Sequence, residues 1–196
     1  MKSKVIKTTP FGPVGIIWAV LNDSPRIVRV LLSKPGSSAE DRVSELYPNS
    51  QASSCAEIDD VANAIKWFLE GEEIEFSLDV AELTLCTEFQ QHVLRAEFGI
   101  PRGRVSAYHL IAEYLGKRNG ARAVGNALAN NPFPLIVPCH RSIRSDRFLG
   151  GYQGGIEMKR ALLEKEGIPF DDAGRVACVQ FYYEGITSNE GIHPKL

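Results

Sequence analysis

One stretch of the chain sets a thiol beside an imidazole behind three prolines. It runs from Asn131 to Arg141 and carries Cys139, followed at once by His140. Each proline fixes its own φ and pushes the preceding residue toward extended geometry, so the approach to the cysteine is predicted to be rigid and non-helical. A thiolate is a strong nucleophile and histidine is a suitable base, so the pair is predicted to carry out nucleophilic chemistry.

Two interpretations of Cys139 compete. It follows the apolar run 135–137, and free cysteine is often a small buried hydrophobe. The other interpretation is favoured by basic neighbours, because positive charge lowers the pKa of a thiol and stabilises the reactive thiolate. That charge would come from His140, Arg141 and Arg144. We therefore expect Cys139 to be a reactive nucleophile with a lowered pKa.

The composition is that of a globular protein. Of the 196 residues, 44% are hydrophobic, and no apolar run approaches the roughly 18 residues that a membrane span requires. The first residues do not read as a signal peptide. The four cysteines are widely separated and form no C-x-x-C pair, which predicts free thiols and no metal site. We expect a soluble, cytoplasmic protein without membrane association.

Positive charge is concentrated in the middle of the chain. The net charge is −2, yet residues 89–147 hold nine basic and three acidic residues, a local net of +6. The blocks on either side are both net acidic. A confined positive region fits docking of a polyanion, although ordinary solvated helix surfaces would give the same pattern.

Elements upstream of the cysteine segment must help to position it. Alternation within residues 4–32 predicts three antiparallel strands, and helical spacing predicts helices over 37–46 and 57–69. Residues 72–85 are predicted to form an extended linker or a strand pair. A capping box formed by Thr87 and Gln90 then opens a helix through Phe98.

Two short helices around a glycine-bearing turn come next. Ser106 is predicted to cap the first helix, residues 116–120 to form the turn and residues 121–129 to form the second helix. The turn and the start of the second helix carry Lys117, Arg118 and Arg122, which is typical of a DNA-binding helix-turn-helix. Without those charges the pattern would fit any helical hairpin.

The chain after the cysteine segment is predicted to be a loop, a helix and a tail. Residues 143–155 are rich in glycine, and residues 156–166 have the pattern of an amphipathic helix. Residues 176–183 form a strand-like patch, and the polar end beyond it is expected to fray.

These motifs together resemble the O6-alkylguanine-DNA alkyltransferases, also called methylated-DNA–protein-cysteine methyltransferases. The resemblance covers roughly residues 84–168 in motif detail, and the strand-rich start with Thr9-Pro10-Phe11-Gly12 also looks like the family's first domain. The ordered set is more specific than any single motif. It comprises Ile100-Pro101-Arg102-Gly103, Tyr108, residues 121–125, Asn131-Pro132, Pro138-Cys139-His140-Arg141, residues 151–155 and Glu164-Lys165-Glu166-Gly167.

The resemblance implies a mixed α/β (α+β) fold. Residues 1–83 would form a ribonuclease H-like domain with a three-stranded sheet and helices. Residues 84–168 would form a mostly helical DNA-binding alkyltransferase domain that contains the helix-turn-helix. Residues 169–196 would be a C-terminal extension, longer than the family pattern.

The implied activity is DNA repair by a protein that reacts once. A methyl or alkyl group would pass from guanine O6, and also from O4-methylthymine, to Cys139 after the damaged nucleotide is flipped out of the duplex. His140 would take the thiol proton through a water, and Glu166 would orient the imidazole. Asn131 would brace the active-site turn, and Tyr108 would hydrogen-bond N3 of the guanine. No cofactor is implied.

The implied partner is double-stranded DNA, bound through its minor groove by a monomer. Arg122 would fill the space left by the flipped nucleotide, which suits a planar and permanently charged group. The other predicted DNA contacts are Ala121, Ser106, Arg102, Lys117, Arg118 and Arg141. The predicted substrate pocket contains Ser142, Gly150, Tyr152 and Gln153.

The chain departs from the family pattern beside the cysteine. Ser142 stands where an aliphatic residue usually follows Pro-Cys-His-Arg, and Arg147-Phe148 stands where small residues are usual. Two other functions stay open: a protein that binds lesions without repairing them, and a cysteine hydrolase. The presence of Cys139 argues against the first. The second is disfavoured because adjacent side chains, such as those of Cys139 and His140, rarely point at one another without a mediating water.

Overall fold

The chain forms two compact units in a computed structural model that describes residues 1–6, 8–177 and 180–186. The first unit comprises residues 1–85 together with the short segments 132–136 and 153–155. The second comprises residues 86–131, 137–152 and 156–196. Each unit is therefore assembled from segments that are distant in the sequence.

The first unit is built on an antiparallel sheet. β1 (Lys2–Ile6) pairs with β2 (Val14–Leu21), and β2 pairs with β3 (Ser24–Leu32), which confirms the three predicted strands. Asn22 and Asp23 connect β2 to β3 with φ angles of 50° and 60°. Positive φ at both positions is what a two-residue hairpin needs in order to match the twist of its strands.

A fourth strand and two helices complete the first unit. β4 (Gln51–Ala52) pairs in parallel with β1, so the sheet is four-stranded and not three-stranded as predicted. Its two residues are exposed and carry no apolar alternation from which it could be predicted. α1 (Ala39–Leu46) and α2 (Ala56–Glu70) agree with the predicted helices. Residues 72–77 form no helix or strand, which agrees with the predicted linker, and two 3-10 helices, Leu78–Val80 and Leu83–Leu85, follow instead of the alternative strand pair.

The proline segment before the cysteine is non-helical, as predicted. The amide of Val30 in β3 donates a hydrogen bond of 2.7 Å to the carbonyl of Pro132, so residues 132–136 are bonded to the sheet of the first unit. Leu135 adopts a φ of 76°, which is unusual for a residue with a branched side chain. Tertiary contacts therefore hold the segment in addition to the prolines.

Helices are the main regular elements of the second unit, and the mixed α/β class is confirmed. The helices are α3 (Glu88–Phe98), α4 (Tyr108–Tyr114), α5 (Ala121–Ala129) and α6 (Ile156–Lys165). Two short strands, β5 (Ser106–Ala107) and β6 (Ser142–Ile143), pair in parallel. Among the described residues, none of the helices combines the length and the apolar character needed to cross a bilayer.

Two predicted helix starts need correction. Thr87 accepts a hydrogen bond from the amide of Gln90, but the Gln90 side chain donates to two carbonyls at the end of α5 and does not complete the capping box. Ser106 lies in β5, where its hydroxyl donates to a carbonyl of the C-terminal extension, and α4 begins after Ala107 without a side-chain cap. In both cases a tertiary partner has replaced a local one.

The described part of the C-terminal extension packs within the second unit. Tyr183 is 2% exposed and stacks on Tyr114 with ring centroids 4.3 Å apart. Val176 is buried and pairs with Phe170 in a single bridge, but no strand covers the described part of residues 176–183, contrary to the prediction. The predicted polar end lies outside the described residues.

Candidate active site

Cys139 opens a short 3-10 helix, Cys139–Arg141, directly behind Pro138. Its amide donates to the carbonyl of Val137 at 2.8 Å, and the side-chain amide of Asn131 donates to the same carbonyl at 3.2 Å. Asn131 is fully buried, so it lies where a brace for this turn would act. Cys139 itself is only 6% exposed, which places the residue inside the unit.

A buried hydrogen bond joins His140 to Glu166. The distance from Nε2 to Oε1 is 2.8 Å, and the two side chains are 0% and 1% exposed. Glu166 directly follows α6, and its amide is still bonded to the carbonyl of Leu162 at 3.0 Å. The end of this helix therefore carries the carboxylate to the residue beside the cysteine, and two of the predicted site residues meet.

Arg141 holds the other side of the Glu166 carboxylate. Its Nε donates to Oε2 at 2.9 Å, its Nη2 donates to Oε1 at 2.8 Å, and its Nη1 donates to the carbonyl of Ile100 at 2.6 Å. Bidentate pairing of this kind is strong and fixes geometry. The predicted DNA contact by Arg141 is therefore corrected, because the guanidinium is committed to Glu166 inside the fold and is only 11% exposed.

Glu166 is ionised and His140 is neutral in the resting site. Burial would raise the pKa of Glu166, but the hydrogen bonds and charges of His140 and Arg141 outweigh it and lower the pKa to about 2. Burial also lowers the pKa of His140, against the opposing effect of Glu166. An ionised carboxylate only accepts hydrogen bonds, so the imidazole proton lies on Nε2. The basic lone pair of the ring is then on Nδ1.

The thiol of Cys139 is protonated at rest. Burial raises its pKa to about 12, and the hydrogen bond from Asn131 opposes only part of that rise. The expectation of a pKa lowered by neighbouring cations is therefore wrong. Arg141 is neutralised by its ion pair, Arg144 is 59% exposed and pairs with a surface aspartate, and His140 is uncharged. A thiolate must form during the reaction and is not stored beforehand.

Three of the predicted residues lie close to one another or to His140. Tyr108 begins α4 and is half-buried. Gly150 has a φ of 71°, and a Cβ there would lie 3.0 Å from the Tyr108 hydroxyl. The ring of Tyr152 meets His140 edge-on, with centroids 6.3 Å apart. The Tyr152 hydroxyl is buried and has no hydrogen-bond partner among the described residues, so it is available to a ligand.

Ser142, predicted as a pocket residue, is sealed inside the unit with two partners that the sequence did not reveal. Its hydroxyl donates to Oε2 of Glu97, and its carbonyl accepts from Nζ of Lys159 at 2.6 Å. All three residues are 0% exposed. The available signal was Ser142 itself, a polar residue where an aliphatic one is usual. The last predicted pocket residue, Gln153, groups with the first unit.

The predicted DNA contacts divide into exposed and occupied side chains. Ser106 is fully buried and already donates its hydroxyl, so the prediction of a DNA contact by this side chain is corrected. Arg102 donates to the carbonyl of Lys165 at 2.9 Å, while Ala121 is partly buried at the start of α5. The basic side chains that lie exposed in the turn before α5 and in its first turn are Lys117, Arg118 and Arg122.

Sequence comparison relates the chain to methylated-DNA–protein-cysteine methyltransferases. A family model described as the DNA-binding domain of 6-O-methylguanine DNA methyltransferase matches residues 88–168. The methylated-DNA–protein-cysteine methyltransferase of Methanothermobacter thermautotrophicus is 42% identical over 125 residues, which cover 64% of this chain and 69% of that protein. The Mycobacterium leprae protein of the same name is 48% identical over 100 residues, which cover 50% of this chain and 59% of the relative.

Solved structures agree with that relationship. The crystal structure of Mycobacterium tuberculosis OGT in complex with DNA matches with a TM-score of 0.68 at 31% identity, covering 85% of this chain and 92% of that chain. The O6-methylguanine-DNA methyltransferase from Pyrococcus kodakaraensis has a TM-score of 0.67 at 24% identity and supports the fold alone. The range matched by the family model includes Cys139, His140 and Glu166. This chain therefore belongs to the family of methylated-DNA–protein-cysteine methyltransferases.

Proposed function

We propose that this chain repairs DNA by moving an alkyl group from guanine O6 to the sulfur of Cys139. The observation that carries the proposal is the buried hydrogen bond of 2.8 Å between Glu166 and His140, the residue beside the cysteine. Displacement at an alkyl carbon needs a nucleophile, a base to deprotonate it and a group that orients the base. Cys139 supplies the nucleophile, His140 the base and Glu166 the orienting group.

The first step is proton transfer from the thiol. Because Glu166 occupies the Nε2 side of the ring, the proton of Cys139 passes through a water to Nδ1 of His140, and Glu166 stabilises the resulting imidazolium. The thiolate then attacks the alkyl carbon in line with the C–O6 bond. The S–C bond forms, the C–O6 bond breaks, and its electron pair stays on the purine. A buried thiolate has few solvating partners, which makes it reactive once it has formed.

Tyr108 stabilises the departing guanine. Burial raises the pKa of Tyr108 to about 12, with Glu97 and Cys139 acting in the same direction. The phenol therefore keeps its proton and can donate a hydrogen bond to N3 as negative charge builds on the base. The neutral guanine forms when the purine takes up a proton from solvent, and His140 releases the proton that it accepted, so no net proton is gained or lost.

The product is a thioether, which none of these groups can cleave, so each molecule reacts once. Because the side chains supply every step of the transfer, the proposed reaction needs no cofactor. The test is to mix the protein with a duplex that contains O6-methylguanine and to measure its intact mass and its peptides. We expect one methyl group on the peptide that contains Cys139. Tight binding with an unmodified thiol would instead indicate a lesion-binding protein, and repeated ester turnover would indicate a hydrolase.

The proposed substrate is double-stranded DNA, bound from the minor groove by a monomer in the cytoplasm, on the nucleoid. An alkylated guanine, or an O4-methylthymine, is inaccessible inside the stack and must be flipped out. The exposed basic residues around the start of α5 support this mode, because they offer charge to phosphates without reading sequence. Arg122 is proposed to occupy the vacated stack.

We expect Arg122→Ala to slow repair of duplex DNA about 100-fold, while the reaction with free O6-benzylguanine stays within about twofold, because unstacking costs a few kcal/mol only in the duplex. Arg118→Ala is the matched control. It removes a neighbouring exposed charge that we expect to contact only phosphate, so the loss of rate should disappear at saturating DNA and the salt dependence of binding should weaken. Single-turnover rates at saturation separate the two. Equal losses on duplex and free base would remove the proposed role of Arg122.

We expect Gly150→Ala to impair the site and Gly151→Ala to leave it intact. An alanine at 150 would hold a φ of 71° and press its Cβ to 3.0 Å from the Tyr108 hydroxyl, whereas nothing lies within 4 Å of a Cβ at 151. The strained backbone should lower the free energy of unfolding by about 1 kcal/mol. Displacement of the phenol should slow alkyl transfer about tenfold. Urea denaturation and single-turnover rates measure the two effects, and identical behaviour of the two variants would contradict this reading of the pocket.

A further inference from the structure

A buried polar cluster lies beside the site and takes no part in the proposed transfer. It consists of Glu97 on α3, Ser142 on β6 and Lys159 on α6, and all three residues are 0% exposed. Ser142 joins the other two, because its hydroxyl donates to Glu97 while its carbonyl accepts from Lys159 at 2.6 Å. An acid and a base are thus bonded to one residue that directly follows the 3-10 helix of Cys139.

Glu97 is poorly solvated as an anion. One carboxyl oxygen accepts from Ser142, but the other, Oε1, is buried without a hydrogen-bond partner among the described residues. Burial raises the pKa of Glu97 to about 7, although Ser142, Lys159 and Arg141 pull it in the other direction. Glu97 therefore changes charge near neutral pH, unlike an exposed glutamate.

The titratable groups that interact with Glu97 lie on α4, the 3-10 helix of Cys139, α6 and the C-terminal extension. The guanidinium of Arg141 is paired with Glu166. Tyr108 and Tyr183 keep their protons because burial raises their pKa values. Lys159 and the thiol of Cys139 are left as the groups on which the charge of Glu97 acts. The full set of titratable groups that interact electrostatically with Glu97 is Tyr108, Cys139, Arg141, Lys159 and Tyr183.

We propose that Glu97 is a positioning residue for alkyl transfer, which holds Lys159 through Ser142 and sets by its own charge how readily Cys139 gives up its proton. The inference rests on the proposed function, since it concerns the same thiol. The ammonium of Lys159 favours the thiolate, and the carboxylate of Glu97 opposes it. When Glu97 is ionised, its negative charge offsets the positive charge of Lys159. When Glu97 is protonated, the positive charge of Lys159 is not offset.

The sign of the pH effect follows from the two protonation states. Below neutral pH, Glu97 holds a proton and only Lys159 acts on the thiol, as a cation, because burial lowers the pKa of Lys159 no further than about 8. As the pH rises through neutrality, Glu97 becomes an anion beside Cys139 and makes the thiolate harder to form. The rate of alkyl transfer should therefore rise less steeply with pH than deprotonation of the thiol alone would give. Glu97→Gln keeps the shape and the acceptor for Ser142 but removes the titration.

The experiment compares alkylation of Cys139 by free O6-benzylguanine in the wild type and in Glu97→Gln. We expect the ratio of variant rate to wild-type rate to increase about twofold to threefold between about pH 6 and about pH 7.5, because a nearby anion shifts a pKa by up to about one unit in a screened site. Glu113→Gln, an exposed position on α4, is the matched control and should give a constant ratio. A constant ratio for Glu97→Gln would overturn the inference.

A second variant provides an independent test in case Glu97→Gln does not fold. Glu97→Leu combined with Ser142→Val replaces the polar pair by an apolar one and should show the same pH profile as Glu97→Gln. A double variant with the wild-type profile would also overturn the inference. The two proposals fail separately: a wild type that accepts no methyl group from an O6-methylguanine duplex refutes the function, and the rates of iodoacetamide at Cys139 then provide the ratio instead. A reactive wild type with a constant ratio refutes only the role of Glu97.

Discussion

Cys139→Ser should accept no alkyl group from DNA. The serine hydroxyl is far less acidic than a thiol and is a weak nucleophile without strong activation. The burial that already raises the pKa of Cys139 to about 12 would oppose an alkoxide even more. Neutral His140 cannot deprotonate such a group to a useful extent. Intact-mass measurement after incubation with an O6-methylguanine duplex should show only unmodified protein.

Cys55→Ser is the control for this experiment, because Cys55 is a free, partly exposed cysteine in the first unit. It should accept one methyl group, as the wild type does. The Cys139→Ser variant should still bind the damaged duplex, since Arg122 and the other exposed basic residues are unchanged. A methyl group found on Cys55 or Cys86, or retained acceptance by Cys139→Ser, would contradict the assignment of the nucleophile.

Glu166→Gln should both destabilise the second unit and slow the reaction. The amide cannot balance the bidentate guanidinium of Arg141, and removal of one partner of a buried ion pair costs about 3 kcal/mol of the free energy of unfolding or more. The amide can also donate to His140 and so stabilise the wrong tautomer. Alkyl transfer should therefore slow about 100-fold or more. Urea denaturation and single-turnover kinetics measure the two effects.

Glu164→Gln offers a control on the same helix. Glu164 is 49% exposed and pairs with Arg160 at the surface, so its loss should change the free energy of unfolding by less than about 1 kcal/mol and leave the rate unaltered. Similar losses in both variants would show that any charge at this end of α6 matters, and would contradict a specific role for Glu166.

The ionised state of Glu166 also predicts how the stability of the protein depends on pH. The pKa of Glu166 is about 2 in the folded protein, below the value of about 4.3 expected for an unfolded glutamate. Its contribution is therefore complete above the unfolded pKa and is lost as the pH falls toward the folded one. The free energy of unfolding of the wild type should decrease over that acid range more steeply than that of Glu166→Gln. Parallel curves would contradict the ionised state of Glu166.

The helices and long strands were predictable because their signals are local. β2 and β3 alternate over many residues, and α2 has apolar residues at helical spacing up to Gly71. β4 was missed because a strand of two exposed residues has no periodicity. The caps at Gln90 and Ser106 were wrong in detail because both side chains found partners far away in the sequence.

The identity of the reacting groups followed from the resemblance of the ordered motifs to a known family. The order of motifs from Tyr108 to Glu166 pointed to a thiol, a base and an orienting carboxylate, and the structure brings His140 and Glu166 into contact. The sequence did not reveal Glu97 or Lys159, because neither lies in a motif. The serine beside them was visible only as a departure from a pattern.

The sequence by itself determined which atoms are available for chemistry, and only the tertiary structure decided their charge. Arg141 looked like a cation for DNA and became the partner of Glu166. Cys139 looked like a thiolate and rests as a thiol. The physical reason is that a pKa depends on burial and on the neighbours that folding brings within a few ångströms, and neither follows from spacing along the chain.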